Sequence, residues 1–334
     1  MVNMVTARLR IGKLSFGAPV IVDPQTRQSV LGKAAMGLRF CNIVFAVLLF
    51  VTGVAPCVAQ DDPVDRGLIA HWKFAEGVGD VVKDSSGEGN DGKIVPADTS
   101  EPKWGTGYFA GSVSFNGDND HFVRIPPSAS LNTLKKQITI VALIYPKTLW
   151  TRGSTLQRGW EKAVRVTKNL LGIAHGSFST GFIAIVQRQW RETMHPDQYF
   201  LGYGPENNVL QYKWHLGLMG GDQVSLYRLP QGQDKPRVGA WVQLAGTYNG
   251  ETGKMSLYVD GEQIATQTHF GEIRLDPESL NRPVTIGAEL NGTSIDDPSG
   301  EFVGYVRDVR IYDRALSDQE IKTLAAEVTR HVTQ

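Results

Sequence analysis

The chain has 334 residues, and its 34 Lys and Arg balance 34 Asp and Glu, so it carries no net formal charge. The balance is uneven: residues 1–60 hold Arg8, Arg10, Lys13, Arg27, Lys33 and Arg39 against Asp23 alone, which leaves the remainder mildly acidic. Nucleic acid is thereby excluded as the main partner, because phosphate binding needs a clustered basic face and none occurs.

The N-terminal stretch reads as a targeting segment. Arg39 precedes an apolar run from Ile43 to Val51, and small residues lead to Gln60 before Asp61-Asp62. This is the order of a secretory signal peptide, and the run is shorter than the roughly 20 apolar residues of a membrane-spanning helix. Met36 would open a signal of ordinary length. Residues 1–60 are therefore expected to be an N-terminal extension plus signal peptide, and residues 61–334 a single domain. The mature protein is expected to be secreted or extracytoplasmic, at the cell surface or in a periplasm, with no stable membrane span after cleavage. Both cysteines, Cys41 and Cys57, fall in the removable part. A body this large buries enough apolar surface to fold without a disulfide.

From Leu68 onward, short apolar runs alternate with Gly, Asn, Asp and Pro. Ser112 to Phe115, the turn cluster Asn116 to Asp120, and Phe122 to Ile125 predict strand, turn, strand. Gln137 to Tyr145 is a β-branched strand stopped by Pro146. Trp241 to Tyr248, Met255 to Val259 and Gln263 to Thr266, joined at Asn249-Gly250 and Asp260-Gly261, predict an antiparallel meander. One helix is expected near the C-terminus, where Ser317 and Glu320 form a capping box. Ile321, Leu324 and Val328 share the face that docks it. The fold class is all-β, a two-layer sandwich or barrel.

The order of several blocks resembles the LamG-like jelly-roll family, of the concanavalin A-like lectin/glucanase type. They are Leu68-Ile69-Ala70-His71-Trp72-Lys73-Phe74, the loop Asp84-Ser85-Ser86-Gly87-Glu88-Gly89-Asn90-Asp91-Gly92, Ser114 to Asp120, Trp241 to Tyr248, and Gly304 to Ser317. The resemblance spans about residues 67–325. It implies a two-sheet antiparallel jelly roll, with the first and last strands adjacent and a short C-terminal helix. Function does not follow, because lectins, adhesion modules and glycosidases share this fold. The chain departs from the family at Leu143, where Trp is usual, and in an enlarged middle region, residues 147–235, rich in Trp and Tyr.

Three kinds of site are candidates. Asp84, Asn90 and Asp308 could supply oxygen ligands to a structural Ca²⁺, which the resemblance favours; the alternative is that they cap turns and that Asp308 pairs with Arg310. Trp160, Trp190, Tyr199 and Tyr203 lie among Arg and Asn residues and could stack on sugar rings, or else pack in the core. Trp72 and Trp241 are assigned to the core. For catalysis, the closely spaced carboxylates of laminarinase-type relatives are missing, Glu272, Asp276 and Glu278 being mis-spaced around Pro277. The sequence thus reads as a non-enzymatic binding protein whose ligand is a glycan. The alternatives are a surface adhesion or scaffold module that binds another protein, and a divergent glycosidase.

Overall fold

The computed structural model describes residues 64–95, 103–116, 121–149, 182–189, 197–206, 209–227, 236–275, 277–290, 298–299 and 301–332. The N-terminal extension, Trp160, Trp190 and the Asp118-Asn119-Asp120 turn lie outside them. Among the described residues no helix is long and apolar enough to cross a membrane.

The strands run β1 (Leu68–Trp72), β2 (Val81–Val82), β3 (Gly92–Val95), β4 (Val113–Phe115), β5 (Phe122–Ile125) and β6 (Gln137–Pro146). The middle region supplies β7 (Ile183–Gln189), β8 (Asp197–Glu206), β9 (Val209–Gly217) and β10 (Gln223–Tyr227). Next come β11 (Val242–Asn249), β12 (Lys254–Val259), β13 (Glu262–Thr268) and β14 (Val284–Ile286). The short pair β15 (Glu289–Leu290) and β16 (Pro298–Ser299), then β17 (Gly304–Tyr312), lead to one α-helix, α1 (Asp318–Val332).

These strands form two antiparallel sheets. One has seven strands in the order β1-β17-β6-β11-β12-β13, with β4 added on β17; the other has eight, in the order β10-β9-β8-β7-β14-β5-β3-β2. The first and last strands pair, His71 opposite Arg310 and Trp72 opposite Val309. The described part of the enlarged middle region therefore builds one half of the eight-stranded sheet.

Strand periodicity explains the layering. In β6, Ile138, Ile140, Ala142 and Ile144 face the other sheet and join the main core. Their neighbours Thr139, Val141, Leu143 and Tyr145 point outward, as alternation requires. Trp72, Tyr199, Tyr203, Tyr212 and Trp214 fill the space between the sheets, each burial contributing about 1.5–3 kcal/mol. The meander forms as expected, β11 on β12 and β12 on β13. Its second turn has φ 49° at Asp260 and 81° at Gly261, the doubly positive signature of a tight hairpin turn that Asp-Gly favours.

Two expectations need correction. β4 and β5 do not form a hairpin: β4 pairs with β17 in one sheet, β5 with β3 and β14 in the other. The two strands thus belong to different sheets, and turn composition alone does not state which sheet the next strand enters. Trp241 is not in the core but half-buried on the outer face of the seven-stranded sheet.

The capping box forms as read. Glu320 Oε2 accepts from the Ser317 amide at 2.8 Å, and Ser317 Oγ accepts from the Glu320 amide at 3.3 Å. Ile321 and Leu324 then pack on Val141, Ala245, Tyr258 and Tyr312. The Val328 side chain lies outside the described residues. α1 thus covers part of the outer face of the seven-stranded sheet and leaves the rest open.

Candidate functional site: the outer face of the seven-stranded sheet

The open part of this face is shaped by a bulge in β17. The pairing with β6 shifts register between Arg307 and Arg310, and Asp308 takes φ 49°. A single left-handed residue in a strand is a bulge device, and Asp is among the residues that tolerate it. Val306, Val309 and Ile311 stay in the core, while Arg307 and Arg310 both line the outer face.

Asp308 anchors the bulge. Its carboxylate accepts from His71 Nε2 at 2.9 Å, Arg310 Nε at 2.7 Å and Arg310 Nη2 at 2.9 Å. Burial pushes the Asp308 carboxyl upward, but the hydrogen bonds from His71 and Arg310 outweigh it and hold the group below the usual carboxylate range. Burial likewise pulls Arg310 down, and the Asp308 bonds more than restore it. Glu327 of α1 stands 3.6 Å from Arg310.

Beside this network runs a groove of about 720 Å³, lined by Lys73, Ala75, Ala110, Gly111, Leu143 and Arg307 among others. Leu143, where the family resemblance expects Trp, is among its lining residues.

At one end of the groove stands an aromatic platform. Phe109 stacks on Tyr305 with centroids 3.9 Å apart and rings 13° from parallel. Tyr145 meets Phe109 and Trp241 edge-on at 4.9 and 5.6 Å. Tyr108 leans edge-on against Phe109 and is 58% exposed. Lys147 Nζ sits 4.3 Å from the Tyr305 centroid and the Arg307 guanidinium 4.9 Å from that of Trp241, both within cation–π range. Arg307 is fixed there by donating to the carbonyls of Gly111 and Ala110. Trp241 Nε1 has no hydrogen-bond partner. Gln243, two residues on and so on the same face, has neither amide atom paired. Buried polar groups normally find partners, and at these buried atoms an ordered water would complete the bonding.

The residues singled out from sequence are distributed differently. Asp84 and Asn90 share the glycine-rich loop, and Asp84 reaches Asp308 only through His71. Asp84 Oδ1 accepts from the amides of His71 and Ser86, and Oδ2 from Ser86 Oγ and the Asn90 amide, all at 2.7–2.9 Å. Asn90 donates to the Ile69 carbonyl at 2.7 Å and to Ser130 Oγ at 3.0 Å, and its own carbonyl accepts from Trp72 Nε1 at 2.8 Å. A carboxylate offers about four acceptor positions, and protein donors fill those of Asp84. With Asp308 already held by a guanidinium, this donor set does not fit Ca²⁺ as arranged. Among the described residues no group of three or more His, Cys, Asp or Glu is placed to hold a metal ion.

Tyr199 and Tyr203 are fully buried between the sheets, where no sugar can stack on them. Burial pushes the Tyr199 phenol up to about 12 despite the nearby Arg188. Their packing role follows from their being on the inward-facing positions of β8, which composition did not disclose. The platform was missed because its rings come from four separate stretches. The one local signal was the outward alternation of Tyr305 and Arg307 around Val306.

The fold is that of a concanavalin A-like domain, and the comparisons agree. The sequence model for the concanavalin A-like lectin/glucanases superfamily matches residues 116–322, more than half of the chain, and the chain belongs to that family. Pentraxin-related protein PTX3 of Homo sapiens is 26% identical over 198 residues, which cover 55% of this chain and 50% of that protein. The Mus musculus protein is 34% identical over 98 residues, 28% of this chain and 25% of the relative. The chain therefore spans half or less of these curated relatives. Among solved structures, the binding domain of Paraclostridial Mosquitocidal Protein 1 aligns with a TM-score of 0.52 at 13% identity. That alignment covers 80% of this chain and 53% of the other, a likeness of fold.

Proposed function

We propose that the protein is a non-catalytic, extracytoplasmic glycan-binding module, and that the glycan lies on the outer face of the seven-stranded sheet. The observation that carries this reading is the cluster of exposed Tyr108 with half-buried Phe109, Tyr145, Trp241 and Tyr305, edged by Arg307 and Lys147. Aromatic rings cover the apolar faces of sugars, while convergent polar groups take the hydroxyls. Membership of a lectin/glucanase superfamily supports it.

The non-catalytic part rests on geometry. A glycosidase needs a pair of carboxyls free to face the scissile bond. Asp308, a carboxylate lining the groove, is instead engaged on both oxygens by His71 and Arg310. The extracytoplasmic part rests on the signal-like segment before residue 61. No metal is needed in this reading, because hydrogen bonds already close the Asp84–Asn90 loop.

The test is a glycan array probed with the full chain and with Tyr108→Ala. Binding that is lost in the variant supports the reading. Binding unchanged in Tyr108→Ala but lost in Trp160→Ala or Trp190→Ala would move the site to those residues. A blank array from folded protein would favour a protein partner.

A further inference from the structure

Resting on that reading, we propose that the ligand is an extended, uncharged oligosaccharide, with one sugar on the aromatic platform and the following ones in the adjoining groove. Platform and groove are one continuous surface. Tyr108-Phe109 of the platform run directly into Ala110-Gly111, which line the groove. Arg307 belongs to both, its guanidinium over Trp241 and its stem in the groove wall. A ligand confined to the platform would leave the groove empty. At about 720 Å³, the groove lies within the ~300–1,000 Å³ of sites that enclose most of a multi-ring ligand. Leu143, Ala75, Ala110 and Gly111 are among its lining residues, and none of them carries a bulky or charged side chain that would block a chain lying there.

The charges argue against an acidic chain. Within the groove Lys73, Arg307 and Arg310 are matched by Asp65, Asp308 and Glu327, and Lys147 at the platform end adds a single positive charge. Arg310 is already bound by Asp308 and faces Glu327. A polyanion needs an uncompensated basic track, and here it would meet two further carboxylates, Asp65 and Glu327. A neutral polyol is suited to such a mixture, because its hydroxyls both donate to carboxylates and accept from Lys73 and Arg307.

The experiment is calorimetric titration of the full chain with xylo-, cello- and arabino-oligosaccharides of one to six units, and with heparin-derived oligosaccharides, at low and high NaCl. For whichever neutral series binds, affinity is expected to rise about tenfold or more between one and four units, and to change less than about twofold with salt. Ala75→Trp places a ring in the groove from an exposed position outside the platform. It is expected to abolish the gain with length. Lys73→Ala, also exposed, is expected to reduce the long-oligomer affinity. Equal affinity across lengths would overturn the proposal, as would tighter, steeply salt-dependent binding of the heparin fragments. Either result leaves glycan binding itself standing. A blank array together with no heat from any saccharide would remove glycan binding and this inference with it.

Discussion

Replacing Asp308 by Asn tests whether this residue is the structural clamp of the β17 bulge. Asn keeps an acceptor and tolerates the φ of 49°, so the perturbation is confined to charge and one pair of bonds. Truncating one partner of a buried ion pair costs roughly 3–5 kcal/mol, because the other charge is stranded. Here Asp308 retains 24% side-chain exposure and Arg310 12%, and Glu327 remains 3.6 Å from Arg310. Solvent screening and this second partner bring the expected cost to about 2–3 kcal/mol. For a domain of this size that is a fall in Tm of roughly 4–6 °C. The pH dependence has a definite sign. The folded-state pKa of Asp308 is depressed from an unfolded value of about 3.9. Its contribution is therefore complete above that value and is lost as pH falls toward the folded pKa. Thermal melts of wild type and Asp308→Asn should differ fully at pH 7 and converge in strong acid. Equal melting at pH 7 would refute the clamp, and a gap that closes when chelator is added at pH 7 would assign Asp308 to a metal instead.

Chelator alone should leave the wild-type Tm within about 1 °C, since protein donors occupy the Asp84 carboxylate; a larger fall that calcium reverses would establish a metal site. Ser317→Ala removes the cap hydroxyl of α1 and should cost about 1 kcal/mol by chemical denaturation. Although burial raises the Glu320 carboxyl, bonds from Arg314 and Ser317 bring it down to about 2. The stability it adds above about pH 4.5 should thus fade as pH drops toward 2, visible as a helix-end signal in acid titration. Gly246→Ala drives a Cβ to within 2.4 Å of the Trp214 ring, and such overpacking should destabilise by about 1–3 kcal/mol; an unchanged denaturation midpoint would contradict the packing described here.

Much of the fold was legible because local chemistry and tertiary structure agree at particular places. Asp260-Gly261 demands a tight turn, the Asn249 to Gly253 stretch a longer one, and the meander of β11 to β13 follows. Ser317 and Glu320 specify where α1 starts. The failures have a common physical origin. A turn cluster after Phe115 states that the chain bends, not which sheet it enters, so β4 and β5 were read as partners. Trp and Tyr have the same propensity on either face of a strand, so Tyr199 and Tyr203 were candidates for ligand contact, and Trp241 was assigned inward. The glycine-rich loop displays oxygen atoms in sequence, but its own amides and hydroxyls use them once it is folded. The platform depends on Tyr108, Tyr145, Trp241 and Tyr305 meeting across three strands and a loop. No window of sequence contains that juxtaposition.

The central claim is that a glycan binds on the outer face of the seven-stranded sheet, and Tyr108 is its most exposed ring. The most direct test is calorimetric titration of Tyr108→Ala and wild type, side by side, with an oligosaccharide that wild type binds. Truncating a central aromatic contact costs about 2 kcal/mol, or more than tenfold in Kd. The account predicts that loss, with the melting temperature of the variant unchanged. Full affinity in a folded Tyr108→Ala protein would contradict it and place the sugar elsewhere on the molecule.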